Sequence, residues 1–132
     1  MLSHADLVAF LPTTDPGRAE TFFGGVLGLT LLEASPFALL FDAGGTPLRV
    51  TPVEEIRPAD YTVLGWQVAD VTATVESLAA RGVAFARFDG LAQDALGIWD
   101  APGGARVAWF RDPDHNLLSV TQPAPPSPAS QP

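Results

Sequence analysis

Residues 107–122 read VAWFRDPDHNLLSVTQ, an apolar run halted at Asp112-Pro113-Asp114-His115-Asn116 and resumed at once as a second apolar run. That layout predicts two strands joined by a tight turn. Asp and Asn favour such a corner by bonding to nearby backbone, and Pro by its fixed φ. FDAGGTPLRVTP, residues 41–52, repeats the arrangement with Gly44-Gly45 at the turn. Both corners are expected to lie in loops and face solvent.

Working back from the two hairpins, each half of the chain opens on a strand followed by a helix. In TTDPGRAETFFGGVLGL, Asp15 is placed to cap, Pro16 fits the first helical position, and Ala19, Phe22, Phe23, Val26 and Leu27 recur at helical spacing before Gly28. In VADVTATVESLAARGV, Asp70 caps, Val71, Val75, Leu78 and Ala79 form the apolar stripe, and Gly82 closes. The two caps stand 55 residues apart. DLVAFLPTTD precedes the first and TVLGWQVAD the second. LTLLEA, FALLFDA and PLRVTPV follow the first helix; VAFARF, ARVAWFRD and NLLSVTQ follow the second. Each half therefore reads strand, helix, strand, strand, strand: an α+β domain of two tandem modules, about 5–52 and 61–122. The polar, Pro-containing residues 53–60 form a linker, and the Pro-rich tail 123–132 is expected to be disordered.

Composition narrows the chemistry. The 132 residues suffice for one domain with a real core, and 47% of them are hydrophobic. There is no Cys, which excludes disulfides, thiolate nucleophiles and iron–sulfur clusters. A net charge of -8 repels polyanions, so no nucleic acid partner is expected. No run reaches the ~18 apolar residues of a membrane helix, and MLSHADLVAF lacks a signal peptide's basic start, so the expectation is a cytoplasmic protein with no membrane partner. The glycine pairs of GGTP and PGGAR match no phosphate-binding fingerprint and read as turns.

The paired halves, FFGGVLGL after the first cap, and above all VAWFRDPDHNLLSVTQ resemble the vicinal oxygen chelate superfamily, which includes glyoxalase I, bleomycin-resistance proteins, fosfomycin-resistance enzymes and extradiol dioxygenases. The resemblance covers about residues 5–122. One departure is His115, where glycine is usual; His tolerates the left-handed backbone better than most side chains, so local strain is the reading there. The resemblance implies a curved sheet per half, helices on the convex face, a shared cavity on the concave face, and a homodimer. Strand alternation then sends Leu7, Ala9 and Leu11 toward the helix and Val8 and Phe10 to the cavity. In the second half Leu64, Trp66 and Val68 become core, and Val63, Gly65 and Gln67 face the cavity.

In metal-using members of that superfamily, first and last strands of both halves supply His, Glu or Gln ligands. The matching positions here are Val8, Arg49, Val63 and Ser119. Valine offers no lone pair, Arg is a permanent cation, and one hydroxyl is a poor ligand, so neither metal nor other cofactor is expected. His4 lies four residues before Val8 on the same strand parity, at or before the strand's start, where a slip of register would bring it nearer the cavity, and His115 sits on the turn; one histidine does not make a site. Arg49 needs a carboxylate, water or an anionic ligand group if it is buried. Trp99 and Trp109 offer flat apolar faces; Trp99 is assigned to the cavity and Trp109 to the core. The predicted ligand-binding set is Val8, Phe10, Arg49, Val63, Gln67, Trp99 and Ser119. The function expected is metal-independent binding of a small, largely apolar organic molecule, such as drug sequestration. The alternatives are a metal-dependent lyase or dioxygenase, and a metal-free isomerase or lyase that uses Arg49 as an electrostatic clamp.

Overall fold

A computed structural model describes residues 1–126. The tail expected over 123–132 thus lies outside the described residues from 127 onward. The chain divides into two compact units, Met1–Asp60 with Asp112–Asn116, and Tyr61–Arg111 with the chain from Leu117.

In the first unit a short 3-10 turn, Leu2–His4, precedes β1 (Ala9–Thr13), α1 (Pro16–Glu20), β2 (Thr30–Ala34), β3 (Leu39–Ala43) and β4 (Thr46–Pro52). Sheet A has the order β1-β4-β3-β2, with β1 parallel to β4 and the remaining pairs antiparallel. Asp15 caps α1 by accepting from the Arg18 N–H at 3.1 Å, with Pro16 at the first position. Past Glu20 the helix widens to π winding over Thr21–Val26, and the Leu27 N–H donates five residues back to the Phe22 carbonyl. Gly24 and Gly25 lie in this segment and weaken ordinary α winding. So short a helix is held by packing rather than by propensity. Ala19 and Phe23 are buried, and the Phe23 ring lies 5.9 Å from Phe41 of β3. Leu11, Thr13, Leu39, Phe41, Leu48 and Val50 complete the buried layer. Leu7 does not join them as strand alternation predicts. It is 75% exposed, because β1 begins only at Ala9.

The second unit holds β5 (Leu64–Gln67), α2 (Val71–Ala80), β6 (Trp99–Asp100), β7 (Arg106–Arg111) and β8 (Leu117–Gln122), with sheet B ordered β5-β8-β7-β6. Asp70 caps α2 through the Ala73 N–H at 3.0 Å, and the Gln122 side chain accepts from the Val71 N–H. Val71 and Val75 are buried; Ala79 is exposed, so the stripe ends at half-buried Leu78. The two four-stranded sheets with their helices make an α+β fold of tandem βαβββ modules.

One predicted strand does not form. VAFARF, residues 83–88, makes only an isolated bridge, Phe85 to Phe110, together with an Ala86 N–H to Trp109 carbonyl bond. The rest of β7's free edge is taken by Trp99–Asp100, so two short pieces of chain share the place of one strand. The loop between them is closed by its own side chains. Gln93 bonds the backbone of Ala86, Phe88 and Gly97, and the Arg87 guanidinium donates to the carbonyls of Asp94 and Ala95.

The corner at residues 112–116 also departs from expectation. Asp112, Asp114 and Asn116 are all buried, and only His115, with φ 67°, is exposed. The Asp112 carboxylate accepts from the backbone N–H groups of Asp114 and Asn116 and from the Asn116 amide. Asp114 accepts from the Thr13 hydroxyl at 2.6 Å, the Thr14 hydroxyl at 2.6 Å and the Thr14 N–H at 2.9 Å. Turn chemistry here serves a buried tie to the end of β1 within the first unit. By contrast, the Gly44-Gly45 corner is the exposed hairpin turn expected, both glycines at positive φ.

Candidate functional site

Each sheet has one face covered by its helix and one turned away from it. On sheet A the uncovered face carries a row across three strands, Phe10 of β1 beside Arg49 of β4 beside Leu40 of β3. On sheet B the corresponding row is Gly65 of β5, Ser119 of β8 and Trp109 of β7. Val8 and Val63 stand one residue ahead of β1 and β5, and both are exposed. The strand registers thus set Phe10, not Val8, directly beside Arg49, and Gly65, not Val63, beside Ser119.

Sheet B presents the richer surface. The Trp109 ring lies 6.0 Å from Trp99, tilted 35°, and 5.4 Å edge-to-face from Phe88. Its indole N–H donates to the Thr62 hydroxyl at 3.0 Å, which fixes the ring plane. Trp99 comes to this face through its pairing with Val107, and Phe88 through the Gln93 bonds of the loop. Ser119 is 7% exposed and has no side-chain hydrogen bond within the described residues. Gln67, farther along β5, is exposed.

On sheet A, Phe10 is 63% exposed and Arg49 half-buried. Arg49 has neither ion pair nor hydrogen bond within the described residues, whereas Arg18 meets Asp114 and Arg106 meets Asp94 and Asp100. A half-desolvated guanidinium without a partner costs stability. Arg49→Met, which keeps most of the apolar stem, should therefore raise the unfolding free energy by ~0.5 kcal/mol. Urea denaturation at pH 7 reads it, and a fall of similar size would mean that Arg49 has a stabilising partner.

Residues 2–120 match a family profile spanning nearly all of both units. The chain belongs to the glyoxalase/bleomycin resistance protein/dioxygenase superfamily. Among solved structures of similar fold, TnmS3, an antibiotic binding protein from Streptomyces sp. CB03234, superposes with TM-score 0.69 at 24% identity, covering 94% of this chain and 99% of that one. TioX from Micromonospora sp. ML1 gives 0.68 at 24%, covering 89% and 98%. The lactoylglutathione lyase from Agrobacterium tumefaciens gives 0.67 at 20%, covering 90% and 93%. Comparison with curated proteins yields no match.

Many superfamily relatives use a divalent metal, and the residues here do not fit one. The residues that the resemblance matches to the ligand positions, Val8, Arg49, Val63 and Ser119, include no carboxylate or imidazole, and no group of three His, Cys, Asp or Glu side chains able to hold an ion occurs among the described residues. His4 lies in the exposed 3-10 turn and His115 on the corner. Two further aspartates have structural tasks: Asp42, near the end of β3, accepts from the Gly45 N–H, and Asp94, in the loop before β6, from those of Leu96 and Ile98.

Sequence reasoning assigned Trp109 to the core and passed over Phe88 as a contributor to this superfamily member's uncovered face; it turned Gly65 to the cavity but left it out of the ligand-binding set. The signal for Trp109 was present in the strand parity. Ala108 and Phe110 are the buried neighbours on β7, which leaves Trp109 on the other face, opposite Ser119. Phe88 had no such signal, because its place depends on the loop. Two surface depressions lie off these faces, one beside Gln67 and Pro123–Pro126, the other beside Arg18, Asp114 and His115. Of the seven predicted residues only Gln67 lines either.

Proposed function

We propose that this superfamily member binds a small, largely apolar organic molecule without a metal, with a planar part of the ligand laid on the aromatic face of sheet B. The observation that carries the reading is the Trp99–Trp109–Phe88 cluster, held by Thr62 and by the loop and adjoined by Ser119. Aromatic side chains of fixed orientation supply a large contact area with little rotamer entropy to lose on binding. The antibiotic binding described for TnmS3 supports a ligand of this kind. Val63, Gln67, Trp99 and Ser119 on the second unit, and Val8, Phe10 and Arg49 on the first, are the proposed ligand-contacting residues. Phe10, Arg49, Gln67, Trp99 and Ser119 lie by strand register on the side that their own sheet turns away from its helix, which supports the assignment. The reading extends to a homodimer in the cytoplasm, for which exposed Leu7 and Phe10 give support, and light scattering at micromolar concentration tests the association.

The function is tested by thermal melting with 2-naphthol, 2-methylnaphthalene and acridine, before and after dialysis against EDTA. Ligands that bind only the folded chain raise the midpoint. The expected result is a rise with at least one of the three that survives EDTA. No shift with any of them, or a shift that appears only after zinc or another divalent ion is added, would overturn the reading. No helix among the described residues is long and apolar enough to cross a membrane, so the assay runs in plain buffer.

A further inference from the structure

Ser119 is a buried residue whose hydroxyl has no hydrogen-bond partner among the described residues. It is 7% exposed, no side-chain partner is found for it within the described residues, and no fully enclosed side-chain oxygen there is left unsatisfied, so its Oγ keeps some access to water. A missing side chain leaves room beside it. Gly65 pairs directly with Ser119 across the parallel strands, and a Cβ built on Gly65 would sit 2.6 Å from the Ser119 Oγ, closer than real atoms approach. The φ of Gly65 is not positive, so its backbone does not require glycine. A strand interior ordinarily disfavours glycine, and one here leaves a hole in the sheet face where the hydroxyl lies. On the other side of Ser119 stands Trp109, its indole already committed to Thr62.

We infer that Gly65 and Ser119 form a hydrogen-bonding niche at the edge of the Trp109 platform, which selects planar aromatic ligands bearing a hydroxyl or carbonyl oxygen at the rim. The inference rests on the proposed platform reading. A serine hydroxyl both donates and accepts, so it serves either ligand group. Because no side chain among the described residues competes for the oxygen, a ligand atom that meets it replaces water with a direct bond. A ligand without such an atom covers the hydroxyl and leaves it unsatisfied.

Isothermal titration of the full chain and of two variants, Ser119→Ala and Gly65→Ala, with 2-naphthol and with its methyl counterpart 2-methylnaphthalene, reads the niche as the ratio of the two dissociation constants. The ratio cancels general differences in folding or platform quality. In the wild-type chain it should favour 2-naphthol about fivefold more than in Ser119→Ala, the size expected of one neutral hydrogen bond. Gly65→Ala, which fills the hole and forces the hydroxyl to rotate away, should remove the same preference. Both variants should melt no lower than wild type, since the hydroxyl has no partner among the described residues and Gly65 has no conformational need of glycine. An unchanged ratio with both probes still bound would overturn the niche and leave the platform standing. Failure of both probes to bind would overturn both. A melting point lowered by several degrees in Ser119→Ala together with an unchanged ratio would assign Ser119 to the fold alone.

Discussion

Asp114→Ala should lower the unfolding free energy by about 3 kcal/mol at pH 7, the largest loss expected from any exchange at the corner. The residue is 6% exposed and its side chain accepts three short hydrogen bonds, two from hydroxyls and one from the Thr14 backbone. Alanine strands those donors at the end of β1. Thr13 keeps its longer bonds to Asp15, donating to the carbonyl and accepting from the N–H, both at 3.1 Å, while the Thr14 N–H is left without its acceptor. The bond joins two segments of the first unit that stand a hundred positions apart in the chain, so its loss frees long-range rather than local structure. The ion pair with Arg18, at 3.5 Å to a half-exposed guanidinium, adds little. Chemical denaturation followed by far-ultraviolet circular dichroism gives the number, and a loss below about 1 kcal/mol would mean that the three bonds are replaced by solvent at no net cost.

Acid should reach the same tie. Burial pushes the Asp114 carboxyl up, but the Thr13 and Thr14 hydroxyls, the Thr14 N–H and Arg18 outweigh it and hold it below the ordinary carboxylate value. A carboxylate whose folded pKa is depressed stabilises the fold above its unfolded value, and that contribution disappears as pH falls through the depressed folded value. Asp112 acts in the opposite sense. Burial pushes it up against its bonds from Asn116 and Asp114, so its ionised form is the disfavoured one in the fold, and acidification relieves that cost. The difference in stability between wild type and Asp114→Asn, in which Asp112 is common to both, should therefore be constant near neutrality and shrink below the ordinary carboxylate range. A difference independent of pH down to full protonation would dissociate Asp114's charge from its role.

The repeat, both helix caps and the two hairpins were legible because each rests on local chemistry: Asp15 and Asp70 before helical stripes, and turn residues between apolar runs. The burial of the Asp112–Asn116 corner was not, because Asp114's partners lie a hundred positions earlier at Thr13 and Thr14. VAFARF alternates like a strand, yet the edge of β7 is shared with Trp99–Asp100, an outcome set by the Gln93 and Arg87 bonds of the intervening loop. The π winding of Thr21–Val26 leaves Phe23 buried as the helical spacing required, so the same stripe serves either winding. At the site, the match of the last strands to the superfamily picked out Ser119, but which neighbours share its row is a matter of register. Only the strand pairing placed Gly65 and Trp109 on its two sides.

Trp109→Ala should weaken binding of 2-naphthol about thirtyfold, about 2 kcal/mol, the size of an aromatic anchor in a binding face. The magnitude follows from where the ring sits. β7 is an inner strand of sheet B, and the indole is braced by Trp99, Phe88 and the Thr62 hydroxyl, so the platform is ordered before any ligand arrives and little binding energy goes into arranging it. Alanine removes the stacking surface and releases both aromatic neighbours from their contact with it. Trp109→Phe separates these effects from a general loss of structure. It retains an apolar ring between the same neighbours and gives up only the N–H bond to Thr62, so it should lose less than fivefold in affinity. Thr62→Ala, which leaves the indole in place but unbraced, should fall in the same small range. A Trp109→Ala chain that still melts cooperatively and binds 2-naphthol within twofold of wild type would remove the aromatic face of sheet B from the site, and the metal-free binding reading with it.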